Sequence, residues 1–210
     1  MSQQMKKMAM GIGLGMIFGV LAMFLSRQFM QPSVPDAYQR TGGDFTLQSP
    51  QGRFNLHDWR DKVVLLYFGY THCPDKCPLT LQRWAQVFRQ LPQDKTDHVG
   101  GLLITVDPER DTLPVLQDYT RRFHPNIMGL TGSEQEIRRV ADLYRADFEA
   151  ERHHLEMAHE HQGMTRQASG NGTVEHSSFV YVIGRDGRVH AMLPFDAPIE
   201  KLRSSIERLL

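Results

Sequence analysis

The chain has 210 residues, with 24 basic and 24 acidic side chains and so no formal net charge; 40% of it is hydrophobic and 23% charged. That composition excludes a collagen-like, disordered or multi-span membrane chain, and the neutral balance argues against nucleic acid as a partner, which needs a basic excess. Two cysteines are too few for a disulfide-rich scaffold.

The charge is unevenly spread. Residues 1–30 hold Lys6, Lys7 and Arg27, no acid, and seven of the 11 methionines. Met8–Leu25 is a run of 18 residues without a polar side chain. As a helix it spans roughly 27 Å, close to the hydrocarbon core of a bilayer. The run is longer than the apolar part of most cleaved signal peptides, and no Ala-x-Ala site follows it. It predicts an uncleaved signal anchor in residues 1–30, crossing the membrane at about 8–25, with a cytoplasmic N-terminus and an exported C-terminal domain. A cleaved signal peptide is the alternative, and it exports the same domain. Residues 31–43, with Pro32, Pro35 and Gly42–Gly43, read as a tether. The folded domain is expected over 44–210.

Phe45–Gln48 and Arg53–Leu56 flank Pro50–Gly52 and predict an N-terminal hairpin. The apolar run Lys62–Tyr70 predicts a central buried strand. Leu81, Trp84, Phe88 and Leu91 recur at helical spacing over Cys77–Leu91. Val99–Val106 reads as a second buried strand. Asp111–Phe123 reads as a helix with Asp111 or Thr112 as its cap and Pro114 in its first turn. Asn126–Leu130 predicts a short strand. Ser133 and Glu136 have the spacing of a capping box ahead of Ile137, Val140, Ala141 and Tyr144. Phe179–Ile183 and Arg188–Leu193, joined through Asp186–Gly187, form a closing hairpin. Ile199, Leu202, Ile206 and Leu209 mark a final helix. Strands that alternate with helices and end in a hairpin and helix describe an α/β fold. With two cysteines at the first strand-to-helix junction, the thioredoxin-like arrangement is the natural candidate.

Both cysteines lie in Tyr70-Thr-His-Cys73-Pro-Asp-Lys-Cys77-Pro78. A helix N-terminus stabilises thiolate through its partial positive charge and its N–H groups. If the segment is helical, the i, i+4 spacing puts both sulfurs on one face. A disulfide here closes little chain entropy, so a purely structural bridge explains the pair poorly. Thiol–disulfide exchange and soft-metal binding remain. Two cysteines alone do not complete a structural zinc site, and a third ligand from elsewhere favours copper. His176 is the best candidate, since it precedes the expected buried strand Phe179–Ile183. Thioredoxin-like oxidoreductases usually carry a cis-proline at that junction, whereas this chain has histidine and no proline.

The stretches FGYTHCPDKCP (68–78), ITVDPERDT (104–112) and EHSSFVYVIGRDG (175–187) together resemble the Sco/SenC family of membrane-anchored copper chaperones. The resemblance covers about 44–210. It implies a thioredoxin-like fold and one copper ion, as Cu(I) or Cu(II), held by Cys73, Cys77 and His176. It implies a role near the copper, or in orienting His176, for Asp107. Cys73 and Cys77 would also form a redox-active disulfide. The implied task is delivery of copper to the copper centre of cytochrome c oxidase subunit II, or to another exported cuproprotein, with other copper chaperones or thiol reductants as partners. The implied place is a bacterial inner membrane with the domain in the periplasm. Ligand exchange needs no covalent catalysis, so no enzyme activity is required. The rival reading is a thiol–disulfide reductase for the cysteines of the oxidase copper site or of other exported proteins, which needs both cysteines but not His176.

One departure concerns an enlarged segment between Tyr144 and His176. It holds His153, His154, Met157, His159, His161 and Met164, imidazoles and thioethers that are copper ligands. Auxiliary copper capture and a solvated polar insertion are both open readings. His72 borders the cysteines but is read as pointing away. His57, His98, His124 and His190 read as surface or structural residues.

Overall fold

The computed structural model describes residues 41–146 and 179–210. The expected anchor, almost all of the tether, the 153–164 segment and His176 lie outside the described residues. Among the described residues no helix is long and apolar enough to cross a membrane.

The chain opens with a hairpin of β1 (Thr46–Ser49) and β2 (Gly52–Asn55), each strand one residue from its expected start or end. Gly52 has φ 111°, a value that favours glycine in the turn. Leu56–Trp59 then forms a single 3-10 turn. The main sheet has five strands in the order β5-β4-β3-β6-β7. These are β3 (Val63–Gly69), β4 (Val99–Thr105), β5 (Ile127–Leu130), β6 (Phe179–Ile183) and β7 (Val189–Pro194). β3, β4 and β5 run parallel, while β6 and β7 are antiparallel to their neighbours. β4 is buried at every position, as expected of a strand covered on both faces.

The helices are α1 (Lys76–Gln90), the short α2 (Gln93–Thr96), α3 (Leu113–Arg121), α4 (Glu134–Tyr144) and α5 (Ile199–Glu207). Strand alternation shows which face each one covers. A side chain at Gly101 would strike Trp84 of α1, and one at Gly129 would strike Leu116 of α3. α5 lies beside α1, where Arg83 donates to the Ala197 carbonyl at 2.9 Å. One residue out of phase, a side chain at Gly100 would strike Trp59. On that second face Tyr144 of α4 packs edge-on against Tyr181 and Phe45. Gly100 and Gly101 therefore admit an indole on each face of β4, the packing role of glycine inside a strand.

The capping box of α4 is present: Ser133 Oγ accepts from the Glu136 N–H, and Glu136 accepts from the Ser133 N–H. Ser133 holds the Glu136 carboxyl below its usual range. α3 departs from expectation. Thr112 occupies its N-cap position without a side-chain cap bond. Asp111 does not cap the helix; it is fully buried and bonds elsewhere.

His124 is a structural histidine, buried edge-on against Phe88, with Nδ1 accepting from the Asn126 N–H at 3.1 Å. Burial and then the Arg89 charge hold it below the usual imidazole range, so the fold favours the neutral ring. The unfolded chain takes up this proton first. The stability from His124 is thus complete above about pH 6.5 and is lost as pH falls below it. Urea unfolding between pH 7 and pH 5 is expected to show a larger loss of stability for the wild type than for His124→Asn.

Candidate metal centre

The site is built where β3 ends and α1 begins. α1 starts at Lys76, so Cys73 is not on the helix. It sits in a turn whose Cys73 N–H donates to the Tyr70 carbonyl at 3.3 Å. The segment is thus not helical at Cys73, and in place of a shared helical face a loop folds Cys73 back over the helix start. There the Cys77 N–H donates to Cys73 Sγ at 3.4 Å. An amide of the first helical turn thus points at sulfur, as a thiolate or a thiolate–metal bond requires. No acid lies in the first turn of α1 to oppose it, and Pro78 falls inside that turn. Both cysteines are thiols in this structure and both are buried. Cys77 lies against the sheet, where a side chain at Gly69 would meet its sulfur at 2.7 Å.

Behind the loop lies a carboxylate that the sequence offers only as a helix cap. Asp111 is 0% exposed. Its Oδ2 accepts from the Thr71 N–H at 2.9 Å and from Thr105 Oγ1 at 2.7 Å, and its Oδ1 accepts from Thr71 Oγ1. Thr71 is two residues before Cys73, and Thr105 ends β4. One side chain therefore joins the cysteine loop to the neighbouring strand. His72 turns toward this group, with Nδ1 3.1 Å from Thr71 Oγ1 and 3.7 Å from Asp111 Oδ1, and its side chain is 56% exposed. The only trace of Asp111 in the sequence was its place in ITVDPERDT, where an acid before a helix reads as a cap.

Asp107 lies in the turn after β4, where its N–H donates to Thr105 Oγ1 at 3.0 Å and its carboxylate pairs with Arg110. Tyr119 of α3 packs edge-on against Phe123. Its hydroxyl is buried without a hydrogen-bond partner among the described residues. Burial, then Cys77, Cys73 and Asp111, push its phenol well above the usual range. Among the described residues no group of three His, Cys, Asp or Glu side chains is placed to hold a metal ion. A site with two cysteines and a third such ligand must draw that ligand from outside them.

A thioredoxin-like α/β domain with a dithiol at the first strand-to-helix junction is the class that fold and site define. Residues 34–210 match the SCO1/SenC family, and the chain belongs to that family. It is 32% identical over 191 residues to the SCO2-like protein of Rickettsia felis, covering 84% of each chain. It also resembles the copper-bound structure of ScoI from Bradyrhizobium japonicum, with 30% identity and a TM-score of 0.62 over 81% of this chain and 99% of that one. The fold extends to BsSco, a member of the Sco family of cytochrome c oxidase assembly proteins with a disulfide switch, at 21% identity and a TM-score of 0.59 over 85% of this chain and 95% of that one.

Two substitutions test the construction of the site. Asp111→Ala orphans the buried Thr71 and Thr105 donors, each worth roughly 1–3 kcal/mol. It should lower the urea midpoint and speed alkylation of Cys73. Gly69→Ala drives a methyl into Cys77 Sγ, and overpacking of this kind costs about 1–3 kcal/mol. Thiol accessibility in that variant should rise at Cys77 ahead of global unfolding.

Proposed function

We propose that this protein is a membrane-anchored copper chaperone. It holds one copper ion through Cys73, Cys77 and His176 and passes it, by ligand exchange, to the copper centre of cytochrome c oxidase during assembly. The observation that carries this reading is topological. β6 runs antiparallel to β3 with Leu66 opposite Tyr181, so continuing that register brings Phe179 level with Phe68. The chain therefore enters β6 at the end of β3 that leads into the cysteine loop. His176 stands three residues before Phe179 in the sequence, and three residues of chain span at most about 11 Å. Two sulfurs and an imidazole suit Cu(I) and also accept Cu(II). The copper-bound Bradyrhizobium ScoI structure and the oxidase-assembly role of the Sco family support the choice of cargo and recipient. Asp107, in the turn after β4, is the proposed neighbour that steadies the histidine.

In this reading residues 8–25 anchor the chain in a bacterial inner membrane, the domain works in the periplasm, and no covalent catalysis is involved. The anchor keeps donor and acceptor in one plane. Transfer needs reduced thiols on both sides, and the Cys77 N–H aimed at Cys73 Sγ favours the reduced, charged sulfur.

The test is metal analysis of the reduced full-length chain in detergent. The wild type is expected to bind about one copper ion, the number a single two-sulfur, one-imidazole site accepts. Cys73→Ala and Cys77→Ala should abolish tight binding, and His176→Ala should weaken it by more than tenfold. Unchanged copper affinity in His176→Ala, together with native-rate reduction of a disulfide substrate, would replace the chaperone by a thiol–disulfide reductase.

A further inference from the structure

β5 is one edge of the five-stranded sheet. The Gly101 N–H donates to the Asn126 carbonyl at 2.8 Å, which fixes the phase of the parallel ladder with β4. Asn126, Met128 and Leu130 turn their backbone groups toward β4, so Ile127, Gly129 and Thr131 turn theirs outward. Part of that outer edge is met within the chain. The Ile127 N–H donates back to the His124 carbonyl at 3.1 Å, and Thr131 exchanges both bonds with Gln48 of β1 at 2.8 and 2.9 Å. The next antiparallel pair would set Pro50 opposite Gly129. Proline has no N–H to give, and β1 has already ended at Ser49. The Ile127 carbonyl and both Gly129 groups are left without a partner among the described residues. Gly129 is nevertheless buried, and buried backbone groups are rarely left unpaired. The other edge of the sheet is blunted, since β7 ends in Pro194 and its pairing with β6 carries a register shift. β5 has no such device. A groove of about 440 Å³ meets it at Gly129, lined also by Pro50, Gln51, Gln117 and Arg121. Gln117 and Arg121 are four apart on α3 and share a face of it. Arg121 is exposed and is the one charged residue of the lining among the described residues.

We propose that this groove is a docking site for an extended, acidic segment of a partner protein, which adds to β5 as a short antiparallel strand in line with β1. One residue of that segment exchanges both backbone bonds with Gly129. The residue two further on stands opposite Ile127, and its side chain points to the same face as the first. Leu116 of α3 packs at Gly129, and α3 runs back toward the start of β5, so Arg121 stands toward the Ile127 end. A carboxylate at that second position pairs with Arg121, which no acid of the lining opposes. Backbone pairing supplies the affinity and the carboxylate the choice of partner, the usual division of labour in strand addition. Only three backbone groups are on offer, so the complex is weak and exchanges quickly. The surface needs neither cysteine and no metal ion, so it stands apart from the copper reading.

The probe is a capped peptide with the core valine–threonine–glutamate, titrated into the full-length chain in detergent with isotope-labelled glycine. The Gly129 amide resonance is expected to move downfield and to saturate. Lysine in place of the peptide's glutamate should weaken binding about threefold, the worth of an exposed ion pair, and Arg121→Glu should reverse that preference. Methylation of the valine N–H removes its bond to the Gly129 carbonyl and should weaken binding about fivefold. No saturable change at Gly129 overturns the proposal. Equal binding of the glutamate and lysine peptides removes the acidic partner, and equal binding of the methylated peptide removes the strand pairing; either overturns it. A Gly129 shift that grows with protein concentration in the absence of peptide assigns the edge to a second copy of this chain, and overturns it as well.

Discussion

The Asp111 carboxylate is the constraint on which the rest of the site depends. Three hydrogen bonds converge on it in a place closed to solvent, two from Thr71 and one from Thr105. A buried carboxylate is tolerated only when its acceptor positions are filled. Those donors are thus held as firmly as they hold it. Because Thr71 leads into Cys73 and Thr105 closes β4, the cysteine loop takes its position from the sheet. α3 begins two residues after Asp111, so the same anchor point sets where that helix starts.

The sulfurs themselves meet two kinds of surroundings. Cys73 receives an amide of the first helical turn, which favours charge on it. Cys77 is pressed against a glycine on β3, with no space for even a methyl between strand and sulfur. One side of the pair is electrostatically prepared and the other is sterically fixed. In the proposed copper site a pair of this kind would hold a soft ion with little reorganisation, and the proposed exchange onto another protein's thiolates would depend on access at the loop.

Much of the fold could be read from the residues because its signals are local and periodic. The apolar runs at β3 and β4, the helical spacing of Leu81, Trp84 and Phe88, and the Ser133–Glu136 box each declare one element. The cysteine pair and its place at a strand-to-helix junction were legible for the same reason. The site's supporting structure was not. Asp111 before a helix is indistinguishable from a cap until the strand beside it is known, and the partners of Thr71 and Thr105 lie across that strand pairing. The i, i+4 spacing puts both sulfurs on one face only if the segment is helical; the turn at Tyr70–Cys73 leaves Cys73 three residues ahead of the helix start, which the spacing alone does not reveal. Tyr119 looks like any aromatic on an amphipathic helix.

The Thr71–Asp111 bonds join residues forty apart in the chain. They close only after β4 has paired with β3 and the following turn has docked, since closing a loop of that length is unfavourable until neighbouring contacts reward it. The two cysteines, by contrast, are four residues apart and meet in any disordered conformer. During folding the thiols are therefore available to oxidants before the pocket that orients them exists. A pair oxidised at that stage has to be reduced by thiol exchange before the site can be charged.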